Sequence, residues 1–248
     1  MSFLDRIDEN LIKNKPDLVG LDEVLCRCKK TIDLTHGKIQ DMSDLCVELD
    51  IRSVNIFYGK TGTGKTTLSY CLAKYALQKY RIDVYALKIQ DMIVADLGKT
   101  LENFHKAYEE IKEILSQGKG MLLFLDEFDR FLVDREQINE SSEMKRAFIS
   151  MMDFVESISF DQKISILATT NRFELLDPAL KRRFSFQYEI ECCEQALRLY
   201  SETLSKKIPQ NFKYKIPSEY INDSKTIAEL KQKVRDDILN FYKGDCES

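Results

Sequence analysis

The sequence predicts an α/β fold built on a mostly parallel five-stranded sheet, and three observations point there. Short β-branched or aromatic runs alternate with longer stretches of helical period through residues 54–190. Most of those runs are separated by helix-length segments, the spacing that a parallel crossover requires. The run at 121–125 is apolar without alternation, as a strand buried on both faces of a sheet must be.

In chain order, Pro16 and Gly20 break helical periodicity, which predicts one helix before Pro16 and another after Gly20. The predicted strands are 54–58, 84–88, 121–126, 164–168 and 184–190, each bounded by turn or polar residues. Between them Leu101, Phe104, Tyr108, Ile111 and Leu115 fall on one helix face, and Met144, Phe148, Met151, Val155 and Ile158 mark a second. After about residue 191 the strands stop. Two helical patterns remain, 194–207 and 225–242, joined by a segment containing Pro209 and Pro217. The expected division is therefore a main domain at 1–191 and a small helical appendage at 192–248.

A length of 248 residues allows one large domain with such an appendage, and 44% hydrophobic with 31% charged residues rules out collagenous, disordered and low-complexity chains. The longest uninterrupted apolar stretch is five residues, 121–125, far short of the roughly 20 needed to cross a bilayer. The first residues are charged and amphipathic, without an apolar core ahead of a cleavage site, so a cytoplasmic protein is expected. Seven cysteines (26, 28, 46, 71, 192, 193 and 246) read as reduced, buried small hydrophobes. Cys26-x-Cys28 and Cys192-Cys193 lack metal-site spacing, and neither His36 nor His105 is near either pair. The balance of 37 Lys plus Arg against 41 Asp plus Glu, a net charge of -4, argues against a protein whose main task is coating nucleic acid.

The chemistry is concentrated at two places. Gly59-Lys60-Thr61-Gly62-Thr63-Gly64-Lys65-Thr66 fits G-x-x-x-x-G-K-[ST] and lies between a predicted strand and a predicted helix. Glycine is needed there because the backbone folds tightly around phosphates and turns its N–H groups inward, with no Cβ to obstruct them. The helix N-terminus adds positive potential. Lys65 is the candidate for the β- and γ-phosphates, and the Thr66 hydroxyl for Mg²⁺. The second place is the apolar strand that ends in Asp126-Glu127. A parallel strand delivers its last side chains to the crevice at the carboxyl edge of the sheet. Asp126 is then a Mg²⁺ ligand, and Glu127 the base that activates a water for in-line attack.

Asp126-Glu127, taken with Asn171 in Ile166-Leu167-Ala168-Thr169-Thr170-Asn171-Arg172, resembles an AAA+ ATPase of the AAA subgroup. Two more stretches agree. Asp17-Leu18-Val19-Gly20-Leu21-Asp22-Glu23-Val24 resembles the segment that cradles adenine, and Leu176-Asp177-Pro178-Ala179-Leu180-Lys181-Arg182-Arg183-Phe184 resembles a compact arginine-finger region of bacterial type. The resemblance covers about residues 17–240. It implies a P-loop NTPase three-layer sandwich with a five-stranded parallel sheet, followed by a small helical lid. It also implies ATP and Mg²⁺ as ligands, with Val19, Gly20 and the loop from Gly59 to Thr67 holding the nucleotide. Asn171 would orient the attacking water, and Arg182 and Arg183 would reach a neighbouring subunit's site. Glu143-Met144-Lys145-Arg146 is similar to the family's intersubunit stretch. The implied assembly is a homo-oligomer, expected as a hexameric ring, that couples hydrolysis to remodelling a protein partner. The alternative is a nucleic-acid-linked relative such as a helicase loader or transposition regulator, for which the sequence offers no recognition domain. Some positions depart from the family: Lys60-Thr61 stands where a proline pair is usual, Asp96-Leu97-Gly98 where threading members carry an aromatic triplet, and Ser224-Lys225-Thr226 where a second sensor arginine begins the last helix.

Overall fold

A computed structural model of the chain describes residues 2–15, 18–37, 43–49, 51–92, 94, 98–128, 153, 154, 157, 162–176, 178–209, 212 and 214–241. The chain opens with β1 (Leu4–Arg6) and α1 (Glu9–Lys13), followed by α2 (Asp22–His36) and α3 (Ser43–Glu48). Strand β2 (Val54–Tyr58) leads into α4 (Lys65–Tyr80), β3 (Asp83–Leu87), α5 (Ile89–Met92), α6 (Lys99–Ser116) and β4 (Met121–Leu125). Then come β5 (Ile164–Thr170), a 3₁₀ turn at Phe173–Leu175, α7 (Pro178–Lys181), β6 (Phe186–Glu189), α8 (Glu194–Lys207), α9 (Ser218–Asn222) and α10 (Ile227–Phe241).

The sheet has six strands in the order β1-β3-β4-β5-β2-β6, one more than expected. The five expected strands pair in parallel, and the sixth, β1, runs antiparallel to β3 with Leu4 opposite Leu87 and Arg6 opposite Tyr85. Three residues with only the first buried carry too little alternation to register as a strand. An ion pair from Arg6 to Asp83 at 2.6 Å holds this edge, and the Ile7 amide donates to Val84 O. The predicted helices on either side of Pro16 and Gly20 correspond to α1 and α2. The second predicted apolar face, 144–158, falls mostly outside the described residues.

Each central strand sends alternate residues to opposite faces of the sheet. Val54, Ile56, Leu123, Leu125, Ile166 and Ala168 join Phe104 and Ile111 of α6 in one core. Phe57, Leu122, Phe124 and Leu167 join Leu68, Leu72 and Ala76 of α4, with Ile12 and Ile32, in the other. The three layers explain why 121–125 is apolar throughout: both of its faces are covered. A third cluster, centred on Leu197, Tyr214, Leu230 and Val234, lies in the C-terminal helices. There α10 starts at Ile227, two residues later than the sequence pattern predicts. A reciprocal cap fixes that start: the Glu229 amide donates to Thr226 Oγ1 at 3.2 Å, and the Glu229 carboxylate accepts from the Lys225 amide at 2.6 Å.

Among the described cysteines all six are free; Cys28 and Cys46 are buried as expected, whereas Cys26 and Cys193 are exposed. Burial pushes the Cys28 thiol up to about 12, so it acts as an inert core residue. No helix among the described residues is long and apolar enough to cross a membrane.

At the amino edge of the sheet His36 is buried, with Nε2 2.9 Å from Ser165 Oγ. A Cβ on Gly120 would come within 2.7 Å of His36 Nδ1, so only glycine fits opposite the ring. Burial, reinforced by the nearby Lys163 ammonium, pushes the His36 imidazole from 6.5 down to about 4. The unfolded chain therefore takes up a proton below pH 6.5 that the folded chain refuses until about pH 4, and stability falls as pH drops through that window. The full difference corresponds to about 3 kcal/mol. Thermal midpoints from pH 7 to pH 4 should decline more steeply for the wild type than for His36→Gln. Parallel declines would assign the loss to other groups.

Candidate functional site

Parallel pairing carries three separate stretches of sequence to one edge. Leu125 of β4 lies opposite Ala168 of β5, and Tyr58 of β2 lies opposite Thr170. The residues that follow these pairs, Asp126, Asn171 and Gly59, therefore emerge side by side at the carboxyl ends of three adjacent strands. Between β2 and α4 the glycine loop turns through backbone angles that favour glycine, with φ of 136° at Gly59, 82° at Gly62 and 109° at Gly64. Close approach adds a second requirement at two of them. A Cβ on Gly59 would lie 2.4 Å from Ile190 O, and one on Gly62 would lie 2.6 Å from Ala228 Cβ.

Inside the loop, Lys65 is buried and its Nζ donates to Gly59 O and Lys60 O, both at 2.7 Å. The Thr63 hydroxyl donates to Lys60 O at 2.9 Å, which closes the turn. Thr66, in the first turn of α4, has its hydroxyl 3.4 Å from Asp126 Oδ1. The same carboxylate oxygen accepts a short hydrogen bond from Thr169 Oγ1. Thr169 also accepts from the Glu127 amide at 3.0 Å, and its carbonyl accepts from the Phe128 amide at 2.8 Å. This residue thus pins the whole acidic turn. Glu127 itself is half-buried and left-handed, with φ of 51°, a conformation that a non-glycine residue adopts only where its surroundings impose it.

These residues wall one open cleft at the carboxyl edge of the sheet. Thr61, Gly62, Gly64, Lys65, Thr66 and Thr67 line one side; Asp126, Glu127, Thr169 and Asn171 line the sheet edge. Leu18 and Val19 add an apolar corner, and Tyr200, Ile227, Ala228 and Lys231 of the C-terminal helices close the far side. Gly59, Lys60 and Thr63 line the adjoining hollow, which Asn171 and Lys225 share. Gly20 lies off the cleft wall: with φ of 78°, it packs where a Cβ would lie 2.6 Å from Ala196 Cβ.

Of the candidate site residues, the fold brings the loop, Asp126, Glu127, Asn171 and Val19 together. Arg182 and Arg183 are absent from the lining of this cleft. Arg182 is exposed beyond α7, with its Nε donating to Pro178 O at 3.3 Å. The stretch 143–146 lies outside the described residues, as do Asp96 and Leu97. Sequence reasoning missed Thr169, Tyr200 and Lys231. Only strand register reveals the first, and only the packing of the C-terminal helices reveals the other two.

The donor set decides which metal the cleft suits. No group of three or more His, Cys, Asp or Glu among the described residues forms a protein-only metal site. One hydroxyl beside one carboxylate instead suits a hard ion that takes its remaining ligands from phosphate and water, as Mg²⁺ does.

Comparison with known proteins agrees with this geometry. The model of the ATPase family associated with various cellular activities (AAA) matches residues 55–192. The proteasome-activating nucleotidase 1 of Haloferax volcanii is 25% identical over 177 residues, covering 71% of this chain and 41% of that protein. A protein of Bifidobacterium animalis subsp. lactis described as an AAA ATPase forming ring-shaped complexes is 25% identical over 174 residues, covering 67% of this chain and 32% of its own length. The chain thus spans less than half the length of these relatives. Among solved structures, a chain in the HORMA:CdnC:Trip13 complex of E. coli MS115-1 superposes with a TM-score of 0.77 at 19% identity, over 98% of this chain and 89% of that one. That likeness is one of fold.

Proposed function

This chain belongs to the ATPase family associated with various cellular activities (AAA), and we propose that it hydrolyses ATP with Mg²⁺ at the interfaces of a homo-oligomeric ring, expected to be hexameric, and uses the cycle to remodel a protein partner. The observation that carries the hydrolytic part is the meeting of Thr66 and Asp126 at 3.4 Å, with Lys65 and Glu127 in the same cleft. In this reading the loop amides and Lys65 hold the phosphates, while Leu18 and Val19 offer the adenine an apolar wall. Thr66 and Asp126 would hold Mg²⁺, which would supply charge neutralisation on the phosphoryl oxygens. Glu127 accepts a proton from the attacking water at its carboxylate, and Asn171 orients that water. Arg182 and Arg183 act on the next subunit's nucleotide, which accounts for their position outside their own cleft. Residues 1–191 form the ATPase body and 192–248 its lid.

Support for a ring comes from the relative described as forming ring-shaped complexes, and support for a protein partner from the fold neighbour's presence in a complex with other proteins. The free thiols fit a reducing, cytoplasmic setting. The test is capture: Glu127→Gln chain, loaded with ATP in extracts of its native cell, should retain a defined protein that ADP releases. Retention of DNA instead, or retention that ignores the nucleotide, would contradict the partner assignment.

A further inference from the structure

The left-handed backbone at Glu127 is bracketed by one residue of a neighbouring strand. Leu125 lies opposite Ala168, so Thr169 comes level with Asp126 where β4 ends. The Glu127 amide donates to Thr169 Oγ1 at 3.0 Å, and the next amide, that of Phe128, donates to Thr169 O at 2.8 Å. The peptide groups before and after the strained α-carbon are thus both tied to Thr169, which fixes the conformation between them.

The hydroxyl has a second task. A threonine hydroxyl carries one proton and two lone pairs. Here a lone pair takes the Glu127 amide, and the proton goes to Asp126 Oδ1, the oxygen that the Thr66 hydroxyl approaches at 3.4 Å from the other wall of the cleft. Asp126 is therefore held between one hydroxyl from α4 and one from the sheet. Thr169 is buried, so water has little access to compete for either bond. The next residue, Thr170, serves a different turn: its Oγ1 accepts from the Arg172 amide at 3.1 Å, beside Asn171.

Resting on the hydrolytic reading above, we propose that Thr169 is a positioning residue for the reaction: its hydroxyl sets the Asp126 carboxylate toward the metal position and, through the amide, aims Glu127 at the attacking water. Valine keeps the shape of threonine without the hydroxyl, and serine keeps the hydroxyl. The two substitutions therefore separate this role from packing.

The test compares the full chain and its variants by steady-state phosphate release and by amide hydrogen exchange at 126–128 without nucleotide or metal. Thr169→Val should lower kcat by about tenfold, the effect of losing a hydrogen bond to a charged group, and leave KM within about twofold, because the loop and Lys65 are untouched. The Glu127 amide should exchange about tenfold faster, its acceptor having gone. Thr169→Ala, which removes any crowding at the same position, should behave as Thr169→Val does, and Thr169→Ser should restore both kcat and exchange. Ser165→Ala is the control for stability. It removes a buried hydroxyl from the same strand at the opposite edge of the sheet, where Ser165 Oγ lies 2.9 Å from His36 Nε2. Its thermal midpoint should fall, yet its kcat and its exchange at Glu127 should match the wild type. An equal loss of kcat in Ser165→Ala, unchanged kcat or exchange in Thr169→Val, or no rescue by serine would overturn the proposal. A wild type that releases no phosphate from ATP would overturn the hydrolytic reading itself, which the exchange comparison distinguishes from loss of the Thr169 anchor.

Discussion

Glu127→Gln should bind ATP as the wild type does and release phosphate at least about 100-fold more slowly, the loss expected when general-base help is withdrawn. The amide has the size of the carboxylate, so the packing of the acidic turn survives. Its main anchors are backbone groups, the Glu127 and Phe128 amides on Thr169, and the substitution leaves them alone. The left-handed backbone at Glu127 costs the same with either side chain. What changes is proton affinity: a carboxamide cannot take a proton from water near neutral pH. Steady-state phosphate release, read beside equilibrium ATP binding, separates the two effects. Unchanged turnover would remove Glu127 from the chemistry, and lost binding would make it a ligand instead of a base.

Arg182→Ala should lower turnover by about 10³-fold or more, because a guanidinium that reaches a phosphoryl transition state is worth that much in related enzymes. The substitution spares the core, since Arg182 is exposed and bonds only to Pro178 O among the described contacts. Its decisive property is that the loss should occur on a neighbour. Arg182→Ala chains keep an intact phosphate loop, whereas Lys65→Met chains keep an intact arginine. Each should be inactive alone. Mixed, they form interfaces at which a good loop meets a good arginine, and activity should reappear. A mixture no more active than its parents would contradict an action across subunits.

The parts of the site that were legible in the sequence are those in which local backbone geometry dictates residue type. The loop at 59–66 must have glycines at left-handed positions and against Ile190 O and Ala228, so its spacing survives as a pattern. The strand 121–125 betrays its double burial by apolar continuity, and Asp126-Glu127 gains meaning from being at its tip. What stayed hidden depends on pairing between distant segments. Thr169 looks like any strand threonine until the β4–β5 register sets it beside Asp126. Strand β1 is held by an edge ladder and by Arg6–Asp83, neither of which leaves a periodic trace. Gly20 stands in the stretch that resembles an adenine cradle, and close contact with Ala196 is a further demand for glycine there that no local pattern reveals. In the lid, the sequence directs attention to Lys225, at the start of the helical pattern. The cap at Thr226 and the packing of Ala228 on Gly62 instead turn Lys231 toward the cleft.

All of these roles presuppose that the glycine loop and the acidic strand tip serve one magnesium-bound triphosphate. A crystal structure of the chain with a non-hydrolysable ATP analogue and Mg²⁺ tests this most directly. The expected result is triphosphate density inside the loop at 59–66, with the ion shared by Thr66, Asp126 and phosphate oxygens, and Glu127 within reach of a water in line with the γ-phosphate. Density elsewhere on the molecule, or an analogue bound in the loop with Asp126 and Glu127 turned away from it, would contradict the account.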